Sequence, residues 1–251
     1  MLGCARLRLK FGNLAIADLK AAKLAAPFRG LPELVNGKCP ENCSQCLKTC
    51  PTGAVSFAPL MIDLGRCIFC GDCARECPEK AISFSSFHKT GTNSREFLKV
   101  GQITADDYLK NSIVPDESVR KIFGKSLKLR QVSAAGCNSC EMELNACGNV
   151  NFDLGRFGIE FVASPRHADG IVITGPVSKN MAPALLDTYR SIPDPKIVIA
   201  TGACAISGGV FAGSPALDRS FFEQVKVDLF IPGCPIHPLT FINALLDYLK
   251  I

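Results

Sequence analysis

The sequence predicts an α/β protein in which a parallel sheet with helices on both faces follows a smaller, cysteine-rich α+β module. Three observations support this fold class. Residues 46–57, CLKTCPTGAVSF, recur as residues 73–84, CARECPEKAISF. After residue 125, apolar β-rich runs alternate with helical stretches. The 251-residue chain has 14 cysteines, and most of them fall at short spacings, a pattern typical of metal ligands rather than of a disulfide framework.

The composition fits globular domains with their own cores, because 47% of the residues are hydrophobic and 20% are charged. The net charge is +5 without a dense stripe of Lys and Arg among aromatics, so nucleic-acid binding is not predicted. Residues 197–217 carry no formal charge, but four glycines and a proline favour a strand and a glycine-rich loop over a membrane span. Polar residues interrupt any apolar core of an export signal, so we expect a reducing cytoplasm.

The segment before the first cysteine run is predicted to form a helix over residues 13–28. Apolar residues recur there at helical spacing among alanines: Leu14, Ile16, Leu19, Leu24 and Phe28. This predicted helix is equally compatible with packing on the chain's own module and with docking on a partner.

The cysteine-rich module contains two runs of four cysteines, and each run ends in Cys-Pro. The runs are Cys39, Cys43, Cys46 and Cys50, and then Cys67, Cys70, Cys73 and Cys77. The second run has the C-x2-C-x2-C-x3-C-P spacing of bacterial two-cluster ferredoxins, in which the fourth cysteine binds the other cluster. The module is therefore predicted to be a small α+β ferredoxin domain with two 4Fe-4S clusters.

The duplication predicts which thiolates share a cluster. The first cluster takes Cys39, Cys43, Cys46 and Cys77, and the second takes Cys67, Cys70, Cys73 and Cys50. One extra residue separates Cys39 from Cys43, which leaves the number of ligands unchanged. A zinc or disulfide framework is the alternative, and the duplicated Cys-Pro pattern disfavours it.

The region after the module loses its cysteines and gains polar residues, with helices predicted at residues 105–111 and 117–123. We interpret it as a connector. The predicted organisation is a docking segment at residues 1–35, the ferredoxin domain at 36–88, the connector at 89–124 and the α/β domain at 125–251.

The C-terminal half is predicted to be a flavodoxin-like α/β domain, because β-rich and helical runs alternate. Strands are predicted at residues 127–132, 158–163, 170–174, 197–200 and 227–231, and helices at residues 181–190 and 239–249.

A second set of cysteines follows three of these strands. Cys137 and Cys140 follow the first, Cys204 follows the fourth and Cys234 follows the last. The carboxyl ends of parallel strands share one edge of the sheet, where ligands bind in open α/β folds. Zinc stays an alternative, but structural zinc more often uses two C-x2-C pairs. Beside a ferredoxin module, the set favours a third 4Fe-4S cluster.

Several residues near these sets receive no assigned role. A free cysteine is usually a small buried hydrophobe, and capping or packing is the simpler role for the glutamates and histidines. They are Cys4, Cys147, Glu141, Glu143, His167 and His237. No catalytic residue is predicted in this chain.

Four segments of the C-terminal half resemble the small subunit of energy-converting, membrane-bound group 4 nickel-iron hydrogenases, such as formate hydrogenlyase. The related subunit of respiratory complex I shares this domain. The segments are GCNSCEMELNACGN at 136–149, FGIEFVASPRHADGIVITGPV at 157–177, TGACAISGG at 201–209 and PGCP at 232–235. The ferredoxin half resembles the two-cluster subunit that accompanies it in both complexes, and here the two are fused.

Two details qualify the resemblance. Two residues separate Cys137 from Cys140, as in hydrogenases, whereas the complex I subunit has adjacent cysteines. After Cys234 the chain reads Pro-Ile-His-Pro, where family members commonly have proline and a basic residue, so contacts with a partner there are expected to differ.

The resemblance implies an electron-transfer subunit whose third cluster lies close to the nickel-iron site of a separate large subunit. Further hydrophilic and membrane subunits would hold the chain on the inner face of the cell membrane. A ferredoxin, or a formate- or CO-oxidising module, would be the redox partner. The alternatives are an iron-sulfur subunit of a complex I-like quinone oxidoreductase and a stand-alone electron carrier.

Overall fold

The computed structural model describes residues 2–40 and 43–251, apart from the side chains of Leu2 and Cys4. Within these residues the strands are β1 (Pro32–Leu34), β2 (Val55–Ser56), β3 (Met61–Asp63), β4 (Ile82–Phe84), β5 (Lys99–Val100), β6 (Leu127–Ser133), β7 (Ile159–Phe161), β8 (Gly170–Thr174), β9 (Ile197–Thr201) and β10 (Leu229–Ile231).

The helices alternate with these strands. They are α1 (Leu2–Phe11), α2 (Gln45–Thr49), α3 (Asp72–Arg75), α4 (Ala105–Ser112), α5 (Glu117–Phe123), α6 (Ser139–Ala146), α7 (Ala182–Ser191), α8 (Gly202–Ser207), α9 (Phe221–Gln224) and α10 (Pro238–Leu249). No helix in the part of the chain that the structure describes is both long and apolar enough to cross a bilayer.

The C-terminal half forms a parallel sheet in the strand order β10-β9-β8-β6-β7. This is the doubly wound order of flavodoxin-like folds, so the predicted fold class is confirmed. Strands β7 and β10 are shorter than predicted, whereas β8 has the predicted bounds. The strand order places the carboxyl ends of β6, β9 and β10 on one edge.

Alternate residues of the strands face the two sides of this sheet. Ile171 and Ile173 of β8 belong to one core, whereas Val172 belongs to the other. The core around Val172 includes the inner faces of α6 and α10. The core around Ile171 includes Leu185 of α7 and continues into the cysteine-rich module. One continuous apolar core therefore joins the sheet to the module, and the domain boundaries stay predictions.

The module itself consists of short elements between its cysteines. An antiparallel ladder pairs β1 with β4, and a small antiparallel sheet has the order β2-β3-β5. The two duplicated Cys-x-x-x-Cys-Pro segments contain α2 and α3, which pack together.

The predicted helix over residues 13–28 is wrong, because the structure has a helix at Leu2–Phe11 and an irregular segment after it. Asn13 accepts from the N–H of Ala15, and Asp18 accepts from those of Lys20 and Ala21. Such local bonds compete with helix formation. The segment instead lies along the sheet domain, where Leu19 is buried. Its docking role on a partner stays a prediction.

Residues 89–124 hold the two predicted helices and bridge the two halves. Thr104 and Asp116 cap α4 and α5 by accepting backbone N–H groups. Tyr108 of α4 is fully buried and donates to the carbonyl of Thr90 at 3.0 Å. Thr92 pairs with Phe230 of β10 through backbone hydrogen bonds in both directions.

Candidate functional site

Four cysteines drawn from both runs of the module line one apolar cavity. They are Cys50, Cys67, Cys70 and Cys73, and Ile62 and Phe84 help to close the cavity. Cys73 lies within α3, and Cys50 follows the last residue of α2. The structure therefore brings together the four residues predicted for the second cluster.

The other four cysteines of the module act on one another electrostatically. Burial raises the pKa of Cys39, and the neighbouring Cys77 and Cys43 raise it further. Burial also raises the pKa of Cys46, and Cys39, Cys43 and Cys77 are among its further causes. Mutual repulsion of this kind requires proximity, so the four residues predicted for the first cluster lie together.

Backbone N–H groups point at several sulfurs of the module. Ala54 donates to Cys50 Sγ at 3.2 Å, Phe69 donates to Cys67 Sγ at 3.3 Å, and Ala81 donates to Cys77 Sγ at 3.3 Å. Such bonds favour the thiolate and help to set cluster potentials.

Burial works against the thiolate where these bonds are too few. It raises the pKa of Cys67 to about 12. Burial also acts on Cys50, but hydrogen bonds from Thr52 and Ala54 outweigh it and lower the pKa of Cys50. A bound metal offsets the cost of deprotonating such buried thiols.

The C-terminal cysteines come from three loops at one edge of the sheet. Cys137 and Cys140 lie in the turn after β6 and the start of α6, Cys204 lies in α8 after β9, and Cys234 follows β10. All four line a single cavity of about 230 Å³. The structure therefore brings together the four residues predicted for the third cluster.

Two glycines make room for the sulfurs of this cavity. Gly202 has a φ of +86°, and a Cβ there would lie 2.8 Å from Cys140 Sγ. Gly209 has a φ of +55°, and a Cβ there would lie 2.9 Å from Cys204 Sγ. Both positions need glycine for backbone conformation and for space.

The four thiols fit a 4Fe-4S cluster, because they line one cavity whose other lining residues are small or are proline: Ser139, Gly175, Ala203, Gly233 and Pro235. Burial raises the pKa of Cys140 to about 12 and that of Cys204 to about 11. Across residues 2–40 and 43–251, no three His, Cys, Asp or Glu side chains converge as ligands of a single metal ion do.

One rim of this cavity reaches the surface. Cys137 and Cys234 are exposed, and hydrogen bonding with the backbone and the hydroxyl of Ser139 lowers the pKa of Cys137. Three large apolar side chains that lie close to Cys140 and Cys204 in the sequence are also exposed, and we call them the apolar rim: Met142, Val210 and Phe211.

The second cysteine set lies next to both others. Burial raises the pKa of Cys73 to about 11, with a smaller contribution from Cys46 of the first set. Burial likewise raises the pKa of Cys234, with a contribution from Cys70 of the second set. The sets therefore follow one another in the order first, second, third.

The structure also adds a residue that the sequence analysis missed. Arg219 donates to four backbone carbonyls at 2.7 to 3.2 Å, those of Pro176, Cys204, Ala205 and Ile206. Arg219 is a single arginine in a turn before α9, and no motif in the sequence marks it.

Two of the unassigned residues next to the third set are buried. Glu141 Oε1 accepts from the hydroxyl of Thr174 at 2.6 Å, which fits a structural role. Cys147 is fully buried and donates to the carbonyl of Glu143, and burial raises the pKa of Glu143.

The remaining unassigned residues differ in their surroundings. His237 packs against the rings of Phe28 and Phe152 and accepts the N–H of Leu239 as the cap of α10. His167 is exposed. The side chain of Cys4 lies outside the described residues.

Comparison with known proteins finds one family match in each half of the chain. Residues 137–248 match the family model of the 20 kDa subunit of NADH ubiquinone oxidoreductase, and residues 60–83 match a 4Fe-4S binding domain. The probable membrane-bound hydrogenase subunit mbhJ of Pyrococcus furiosus is 42% identical over 118 residues, which is 47% of this chain and 71% of that protein. This chain belongs to the 20 kDa subunit family.

Other members of the 20 kDa subunit family come from a formate hydrogenlyase and from an NADH-quinone oxidoreductase. The resemblance predicted from the sequence is therefore confirmed. Formate hydrogenlyase subunit 7 of Escherichia coli is 43% identical over 121 residues. The matched segment is 48% of this chain and 48% of that protein. An NADH-quinone oxidoreductase subunit of Citrifermentans bemidjiense is 46% identical over 44% of this chain and 65% of that protein. The segment matched by the family model contains Cys137, Cys140, Cys204 and Cys234.

Proposed function

We propose that this chain is the electron-transfer subunit of a multisubunit nickel-iron hydrogenase. It relays electrons between a ferredoxin, or an associated oxidoreductase, and the nickel-iron site of a partner large subunit. The observation that carries this proposal is the meeting of four cysteines from three loops in one surface cavity, beside an eight-cysteine module with its own cavity. Three 4Fe-4S clusters supply one-electron transfer when they are bound.

The chain's own residues divide among the three clusters. Cys39, Cys43, Cys46 and Cys77 hold the first, Cys67, Cys70, Cys73 and Cys50 hold the second, and Cys137, Cys140, Cys204 and Cys234 hold the third. The proximity of Cys46 to Cys73, and of Cys70 to Cys234, supports a single path through them. Electrons enter at the module and leave at the sheet edge, or move in reverse.

The partner large subunit docks over the third cysteine set. The apolar rim supports this proposal, because Met142, Val210 and Phe211 are 62%, 55% and 42% exposed and lie close in the sequence to cysteines of the cavity. Exposed apolar groups around a site are typical of protein interfaces. Further hydrophilic and membrane subunits of the complex hold the chain at the inner face of the membrane.

An iron-sulfur subunit of a complex I-like quinone oxidoreductase is the second candidate, favoured by the 46% identity to the NADH-quinone oxidoreductase subunit of Citrifermentans bemidjiense. The hydrogenase function is preferred, because two residues separate Cys137 from Cys140. This is the spacing of hydrogenase subunits rather than that of the complex I subunit.

Metal analysis of the native complex tests the proposed function. The complex is purified without oxygen through a tag on this chain, and nickel, iron and sulfide are measured in the same sample. Three clusters give about twelve irons for this chain, and the large subunit adds stoichiometric nickel. Iron without nickel would favour the quinone-linked candidate or a stand-alone carrier.

A pair of cysteine variants tests the path. C204S removes one ligand of the third cavity and is expected to abolish hydrogen evolution while the module keeps its clusters. C147A is the matched control, since Cys147 is buried outside the cavity. Parental hydrogen evolution by an assembled C204S complex would remove the third cluster from the path.

A further inference from the structure

Arg219 holds the end of the helix that carries Cys204. Its guanidinium donates to the carbonyls of Cys204, Ala205 and Ile206 in α8, and also to that of Pro176 in the loop after β8. The last carbonyls of a helix lack partners within the helix. One side chain therefore satisfies several of them and ties two loops of the cysteine cavity together.

The positive charge of Arg219 has no carboxylate partner among the residues that the structure describes. The salt bridges found there do not include it. The adjacent Asp218 carboxylate accepts from the N–H of Ser220, and the nearby Arg95 is paired with Asp63. The face of the guanidinium lies over the ring of Phe222, 4.6 Å from the ring centroid.

The position of Arg219 is costly for a cation unless negative charge lies nearby. A cluster bound by Cys204 and its neighbours would place negative charge beside the guanidinium.

We propose that Arg219 is a positioning residue that raises the reduction potential of the third cluster through its charge and fixes Cys204 through its hydrogen bonds. This inference rests on the proposed function, because it requires a cluster bound by Cys204. A cluster becomes more negative when it accepts an electron, and a nearby cation stabilises that form. The same side chain thus acts on both the geometry and the driving force of the last transfer.

Redox titration followed by electron paramagnetic resonance tests the proposal on the anaerobically purified complex. The signal of the third cluster is identified by its loss in C204S. R219Q removes the charge and is expected to shift the midpoint potential of this signal to a more negative value. R219K keeps the charge and is expected to stay close to the parental potential. R190Q, at an exposed arginine of α7, is the matched control and should change nothing.

Two results would overturn the proposal. One is a parental midpoint potential in R219Q with the third cluster present. The other is an equal shift in R219K and R219Q, which would reflect hydrogen bonding alone. If the parental complex lacks the C204S-sensitive signal, then the proposed function fails and this inference fails with it.

A second pair of variants covers the case in which R219Q does not assemble. F222E places a carboxylate beside the guanidinium, and F222Q introduces a side chain of the same shape without the charge. The midpoint potential of the third cluster is expected to be more negative in F222E than in F222Q. Equal potentials in the two variants would contradict the proposal.

Discussion

Gly202 lies against Cys140 so closely that a Cβ on Gly202 would be 2.8 Å from Cys140 Sγ. The glycine begins α8 after β9, whereas the cysteine lies in α6 after β6. Their contact sets the distance between two loops that are 62 residues apart in the sequence. A side chain at position 202 would therefore require the sulfur or the backbone around it to shift.

G202A is therefore expected to lose the third cluster while the module keeps its two. Iron on the chain should fall from about twelve to about eight atoms, as measured by metal analysis of the purified complex. G213A is the matched control, because Gly213 has a similar φ of +82° and open space around it. Loss of iron in G213A, or full iron in G202A, would contradict the steric argument.

The ion pair of Asp63 with Arg95 supports the loop that leads to Cys67. Arg95 donates to both carboxylate oxygens at 2.9 and 2.7 Å, and Asp63 Oδ1 also accepts the N–H of Gly65. R95M leaves a largely buried carboxylate without its cation, at a cost of about 2 kcal/mol. The apparent melting temperature should fall by about 5 °C, as measured by circular dichroism without oxygen.

The exposed pair of Lys128 and Glu160 is the control for this prediction. Their side chains are 43% and 57% exposed, and such pairs contribute less than about 1 kcal/mol. K128Q should therefore melt within about 2 °C of the parental protein. A larger effect of K128Q than of R95M would show that burial does not govern these pairs.

His88 is expected to make the protein less stable in acid. The side chain is buried, and its Nε2 has no hydrogen-bond partner. Burial, with His237 and Lys89, lowers the pKa of His88 to about 4, whereas an unfolded histidine titrates near 6.5. The folded state therefore holds the neutral ring. Its stability is full above about pH 6.5 and falls as the pH drops toward 4, by about 1.4 kcal/mol per unit.

Melting temperatures at pH 7.5 and pH 5.5 test this sign. When the pH falls from 7.5 to 5.5, the free energy of unfolding should decrease by about 1 kcal/mol more in the parental protein than in H88L. H167L is the matched control for the loss of a histidine, because His167 is exposed. If H88L follows the parental curve, then His88 does not titrate as argued.

The apolar rim is expected to be necessary for assembly. Phe211 is 42% exposed and lies beside Gly136. F211D places a charge at the proposed interface, where its desolvation is costly, and should reduce co-purification of the large subunit without loss of iron. I122D is the control, since Ile122 of α5 is also exposed. Parental recovery of the large subunit with F211D would move the interface elsewhere.

Local patterns were sufficient for most of the fold. The run at residues 170–174 has three consecutive β-branched apolar residues at its centre, as expected for a strand buried on both faces, and its bounds match the prediction. The helix predicted at residues 13–28 is wrong because its apolar pattern does not decide its conformation. Its apolar spacing suits a helix, but Asn13 and Asp18 bond to their own backbone, and Leu19 packs against a sheet that the local sequence does not reveal.

Most of the candidate site could be predicted from the spacing of the cysteines. Cys204 and Cys234 stand alone in the sequence, and their meeting with Cys137 was predicted because each follows a strand of a parallel sheet, whose carboxyl ends share one edge. Arg219 could not be found in this way, because its acceptors are carbonyls. Every residue carries a carbonyl, and only the tertiary structure shows which ones converge.

The backbone pairing of Thr92 with Phe230 has a consequence for how this chain could be divided. Strand β10 is the last strand of its sheet, and Thr92 covers part of its open side. An exposed strand edge is a template for aggregation. A gene fragment starting at residue 125 would expose that edge. We therefore expect the separated C-terminal half to be less soluble than the whole chain.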